Sequence, residues 1–89
     1  MVRDSQHISI RYWAGAKAAA GVEGEELAVD GPDLLPEIIS KLTARHADAG
    51  LERVLAACSA LVDGTRVSHS DQPVHPGETV EFLPPFAGG

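Results

Sequence analysis

The chain has 89 residues, 44 % of them hydrophobic and 22 % charged, which is enough for one small soluble domain with a thin core. Its net charge of −6 argues against nucleic acid and anionic membrane surfaces, where a basic patch is needed, and favours basic grooves on protein partners. One cysteine, Cys58, excludes an internal disulfide framework; no run approaches about 18 apolar residues and Met1–Gln6 lacks a secretion signal, so the expected location is cytoplasmic.

His7 to Trp13 alternates, with Ile8, Ile10 and Tyr12 on one side and Ser9 and Arg11 on the other, which predicts a half-buried strand. Ala14 to Ala20 is rich in alanine and stops at Gly21, as a short helix would. Glu25 to Val29 alternates again, and its spacing from the first strand allows a hairpin with a wide, partly helical connection.

Gly31-Pro32-Asp33 opens the main helix, with Asp33 as expected N-cap and Pro36 tolerated in the first turn. Leu35, Ile38, Ile39 and Leu42 form one apolar stripe, and Glu37 and Lys41 are spaced for an i, i+4 pair on the wet side. Arg45 and His46 suit the C-terminal dipole, and Leu51 to Ala57 predicts a second short helix with Leu51, Val54 and Leu55 inward.

Ser59 to Val62 and Thr65 to Val67 flank Asp63-Gly64, a strong hairpin signal. Pro76-Gly77 marks the next turn, and Thr79 to Leu83 the last strand with Val80 and Phe82 inward. This order predicts an α+β domain over residues 1–83: a mixed sheet of about four or five strands with one main helix across one face and short extra helices, the β-grasp layout. First and last strands are then parallel neighbours at its centre.

Residues 84–89, Pro84-Pro85-Phe86-Ala87-Gly88-Gly89, read as an extended tail. The two prolines end the ladder and stiffen the base, and Gly88 and Gly89 let another backbone approach the terminal carboxylate from every side. Such an arm suits a narrow channel on a partner, threaded by Pro84, Pro85, Phe86, Ala87 and Gly88, with Phe86 and Phe82 as expected partner contacts. Trp13 is either a second exposed aromatic anchor or a packing residue.

Other chemistry finds little support in the residues. His7, His46, His69 and His75 lack metal-ligand spacing with one another or with Cys58, so no metal site is expected. Cys58 lies in an apolar stretch and reads as a buried structural thiol. His69 and Asp71 have only the scattered Ser68 and Ser70 nearby, which reads as a loop. No glycine-rich phosphate loop is present, so ATP binding by this chain in the usual way is not expected.

Arg11-Tyr12-Trp13-Ala14 before the alanine-rich helix, Leu61-Val62-Asp63-Gly64, Pro76-Gly77-Glu78-Thr79-Val80 and Leu83-Pro84-Pro85-Phe86-Ala87-Gly88-Gly89 together resemble the MoaD/ThiS family of ubiquitin-like sulfur carriers. The likeness is nearest to the small, sulfur-carrying subunits of molybdopterin synthase, although Leu83 stands where those carriers often have an aromatic. The resemblance implies that Gly89 is adenylated by a separate ubiquitin-E1-like enzyme using ATP and Mg, converted to a thiocarboxylate, and used to pass sulfur to cyclic pyranopterin monophosphate on a large subunit, in a heterotetramer. No cofactor would be bound by this chain, and it would not be catalytic alone. Carriers for thiamine, cysteine or another sulfur metabolite, a ubiquitin-like protein modifier, and a plain interaction module are the alternatives.

Overall fold

The first strand, β1 (His7–Tyr12), places Ile8, Ile10 and Tyr12 inward as its alternation dictates, and all three are buried. The computed structural model describes residues 6–46, 49–68 and 72–85. Helix α1 (Ala14–Ala20) follows at once and ends at Gly21, whose positive φ of 82° lets its N–H close back on the Lys17 carbonyl. Strand β2 (Gly24–Ala28) returns antiparallel to β1, with Ile8 opposite Leu27 and Ile10 opposite Glu25.

A two-residue strand, β3 (Asp33–Leu34), leads into α2 (Leu35–His46), which buries Leu35, Ile38, Ile39 and Leu42, the stripe the spacing predicts. Its N-terminus differs from expectation. Asp33 is not the cap; it pairs with Val74 in the β3 ladder, and its carboxylate takes the Lys41 ammonium at 2.5 Å. Glu37 turns back instead to accept the Leu34 amide at 3.1 Å, the reciprocal half of a capping box. The expected Glu37–Lys41 pair gives way because both side chains find partners at the helix entrance.

Helix α3 (Ala49–Ala57) packs on α1 and α2, with Leu51 and Leu55 buried and Val54 half-buried against the same core. Strands β4 (Ser59–Val62) and β5 (Thr65–Val67) form the hairpin, with φ of 49° at Asp63 and 86° at Gly64 as a type I′ turn requires. After β6 (Pro73–Val74), which pairs with β3 in a small separate sheet, the chain enters β7 (Thr79–Leu83). The two-residue β3 and β6 carry no periodicity and escape a pattern reading.

The main sheet has the order β2-β1-β7-β4-β5, with β1 and β7 parallel and the other pairs antiparallel. This is the α+β, β-grasp arrangement, with three helices among the described residues. Ile8, Ile10, Val80, Phe82 and Ala60 of the sheet join one buried cluster with Ala16 of α1, Ile38 and Leu42 of α2, and Leu51 and Leu55 of α3. Burying each large aliphatic side chain is worth about 1.5–3 kcal/mol, so this layer holds helices and sheet together.

Candidate functional site: the root of the C-terminal tail

Strand β7 lies third of five, hydrogen-bonded on both sides, and delivers the chain to Pro84 and Pro85 from the best-anchored part of the sheet. Its side chains alternate: Val80 and Phe82 are buried, while Thr79, Glu81 and Leu83 are half-buried on the opposite face. On that face Arg11 stands opposite Glu81, Glu81 opposite Leu61, and Leu61 opposite Arg66, so opposite charges and an apolar residue alternate across the strands.

Phe82 is not available as a partner contact. Its side chain is 0 % exposed and stacks on Tyr12, with ring centroids 6.2 Å apart. The inward side of a central strand leaves it no surface to offer. Its backbone does serve the site: the Phe82 carbonyl accepts the Trp13 N–H at 3.2 Å, carrying the β1–β7 pairing past the end of β1. Trp13 is 43 % exposed, with the Arg11 guanidinium 5.3 Å from its ring centroid, a cation–π contact at the end of the sheet. Pro84 stands beside Gly15 of α1, and Pro85 is exposed. Phe86, Ala87, Gly88 and Gly89 lie outside the described residues, as do His69, Ser70 and Asp71.

Behind this root is a polar hub that pattern reading missed. The Glu25 carboxylate accepts Tyr12 Oη at 2.6 Å, His46 Nε2 at 2.6 Å and Arg45 at 2.9 Å, and Arg45 also donates to the Glu26 carbonyl. Arg45 and His46 thus tie the end of α2 to β2, a role beyond the helix dipole. Burial alone would raise the Glu25 carboxyl, but these hydrogen bonds outweigh it and hold the group below its ordinary value. The Tyr12 phenol is pushed far up, first by burial and then by the hydrogen bond to Glu25. Gly24, one residue earlier, is required: a Cβ there would stand 2.6 Å from the Ile10 carbonyl oxygen. A glycine at the start of a strand is the only sequence signal for that approach.

Cys58 is buried, donates to the Val54 carbonyl at 3.1 Å, and has its thiol pushed up to about 11 by burial, so it is no nucleophile. Among the described residues no group of three or more His, Cys, Asp or Glu could hold a metal ion, and no helix is long and apolar enough to cross a membrane.

The ThiS family model matches residues 10–89, nearly the whole chain including the tail. The chain belongs to the ThiS family. Among solved structures, the provisionally assigned molybdopterin converting factor subunit 1 of Pyrococcus furiosus is similar at 23 % identity and a TM-score of 0.76, covering 92 % of this chain and 100 % of that one. A complex of subunits 1 and 2 of the Helicobacter pylori molybdopterin-converting factor matches at 20 % identity and a TM-score of 0.65, over 93 % and 99 % of the two chains. Small archaeal modifier protein 1 of Haloferax volcanii matches at 19 % identity and a TM-score of 0.74, over 91 % and 99 %. No curated protein matches the sequence. The likenesses establish the fold shared by this ThiS-family chain and proteins of both kinds.

Proposed function

We propose that this chain is a sulfur carrier and the small subunit of a molybdopterin synthase, with Gly89 as its reacting residue. The supporting observation is the exit of the chain from the central strand through Pro84 and Pro85 toward Gly88-Gly89, in a family match that runs to residue 89. A carboxylate is a poor electrophile because its leaving oxygen is strongly basic. Adenylation by an E1-like enzyme, with ATP and Mg bound there, supplies a good leaving group, and sulfur then displaces AMP to give the thiocarboxylate. Held beside cyclic pyranopterin monophosphate on a large subunit, the sulfur of Gly89 attacks by proximity, and hydrolysis of the Gly89 acyl–sulfur bond then leaves the sulfur on the acceptor and regenerates the Gly89 carboxylate. The Helicobacter pylori pair of subunits supports such a partner, and the heterotetramer and a cytoplasmic location belong to the same proposal.

The likeness to an archaeal modifier favours a second reading, in which Gly89 forms an isopeptide with a target lysine. Mass spectrometry separates the two. A carrier incubated with its activating enzyme, ATP and a sulfur donor gains about 16 Da, the oxygen-to-sulfur difference, at the C-terminal peptide. Adducts on other proteins with no such gain would establish the modifier instead.

A further inference from the structure

We propose that Arg45 guards the β2 edge of the main sheet, keeping it from pairing with β2 of a second copy of this chain. The inference stands apart from the reading of Gly89. It begins with the parity of the β1–β2 ladder. The Tyr12 amide donates to the Glu23 carbonyl and the Val29 amide to the Gln6 carbonyl, in the register that sets Ile8 against Leu27 and Ile10 against Glu25. In an antiparallel pair, every second residue turns both its backbone groups toward the neighbouring strand. Glu23, Glu25, Leu27 and Val29 therefore face β1, while Gly24, Glu26 and Ala28 turn their N–H and C=O away from it. β2 is the outermost strand on this side, so these three residues form an edge that another chain can use as a template.

The middle of that edge is taken. Arg45, in the last turn of α2, donates from one terminal nitrogen to the Glu26 carbonyl and to the Glu25 carboxylate, each at 2.9 Å. The carboxylate is itself fixed by Tyr12 and His46, so the guanidinium is held across the strand rather than left to sweep through solvent. A ladder between two copies needs successive outward residues that exchange bonds. With Glu26 occupied, Gly24 and Ala28 are separated and neither has an outward neighbour. Pairing along the whole edge would also set Glu26 opposite Glu26 of the second copy, a like-charge contact. The opposite edge of the sheet needs no such guard. β5 has three residues, and its two-residue turn commits Thr65 and Val67 to β4, which leaves Arg66 alone facing outward. The edge long enough to pair is the one that is covered.

Sedimentation and amide exchange of the full chain test this, in about 1 M salt so that the Glu26 charges are screened. The wild-type chain should sediment as a monomer. Arg45→Ala should shift toward a dimer as concentration rises, with the Glu26 and Ala28 amides exchanging at least about tenfold more slowly in the associated form. Ala28→Pro removes an outward N–H without touching the bonds to β1, so adding it to Arg45→Ala should restore the monomer. Glu25→Gln loosens the hub yet leaves the Glu26 carbonyl to Arg45, and it should stay monomeric. A folded Arg45→Ala that remains monomeric overturns the proposal, as does association without protection of Glu26 and Ala28. Equal association by Glu25→Gln overturns it too, since a loosened α2 would then be the cause. Should Arg45→Ala fail to fold, Arg45→Met keeps the stem without the donors and takes its place. If neither folds, Arg45 serves stability alone and the guard is overturned. A wild-type chain that already pairs through β2 ends the proposal directly.

Discussion

Glu25 gathers three donors on one carboxylate, from β1 and from the last turn of α2, and so fastens the main helix to the edge of the sheet. Its pKa is held below the ordinary 4.5, so the folded state binds this proton less readily than the unfolded chain. The stability it contributes is therefore present above the unfolded value and lost as pH falls toward the folded one. The melting temperature should fall as pH drops below about 4.5, and Glu25→Gln should flatten that part of the profile. At neutral pH the same change should cost about 1–3 kcal/mol, because hydrogen bonds to a charged group are stronger than neutral ones. An unchanged acid limb in thermal melts of Glu25→Gln would show that other carboxylates set it. In sequence, Glu25 reads only as a strand residue. Its partners lie 13 to 21 residues away, beyond the reach of any local pattern.

At the scale of elements, long periodic segments are legible in the sequence and short ones are not. The α2 stripe and the alternation of β1 and β7 follow from burial on one side, which leaves a regular trace. β3 and β6 have two residues each and leave none. The entrance to α2 misleads because Asp33 resembles a cap while Glu37 supplies the capping bond. The β4–β5 turn is legible because its geometry admits few residues. Asp63 also clamps that turn to β7, its carboxylate accepting the Thr79 amide at 2.9 Å. Gly64 holds a positive φ with open space around it, so Gly64→Ala should cost about 1–2 kcal/mol through backbone strain alone. Denaturant melts check this. A loss below about 0.3 kcal/mol would show that the turn relaxes to another type.

Across the whole molecule, stability and the proposed chemistry occupy different places. The core is a continuous apolar cluster between helices and sheet, whereas the tail proposed to react starts beyond β7. The tail motif is legible in sequence because glycines and prolines there have few other uses, but the approach of Pro84 to Gly15 needs three-dimensional contact to be seen. Two changes should therefore act in opposite ways. Leu42→Ala removes a fully buried side chain from α2 and should cost about 2–5 kcal/mol, yet whatever remains folded should still take up sulfur at the wild-type rate. Deleting Gly89 should move stability by less than about 0.5 kcal/mol and abolish sulfur uptake entirely. In the double variant the stability losses should add, as they do for distant sites with no common partner. Thermal melts and mass spectrometry of the thiocarboxylate read the two quantities separately. Sulfur uptake by the chain lacking Gly89 would place the reacting group elsewhere and end the carrier reading.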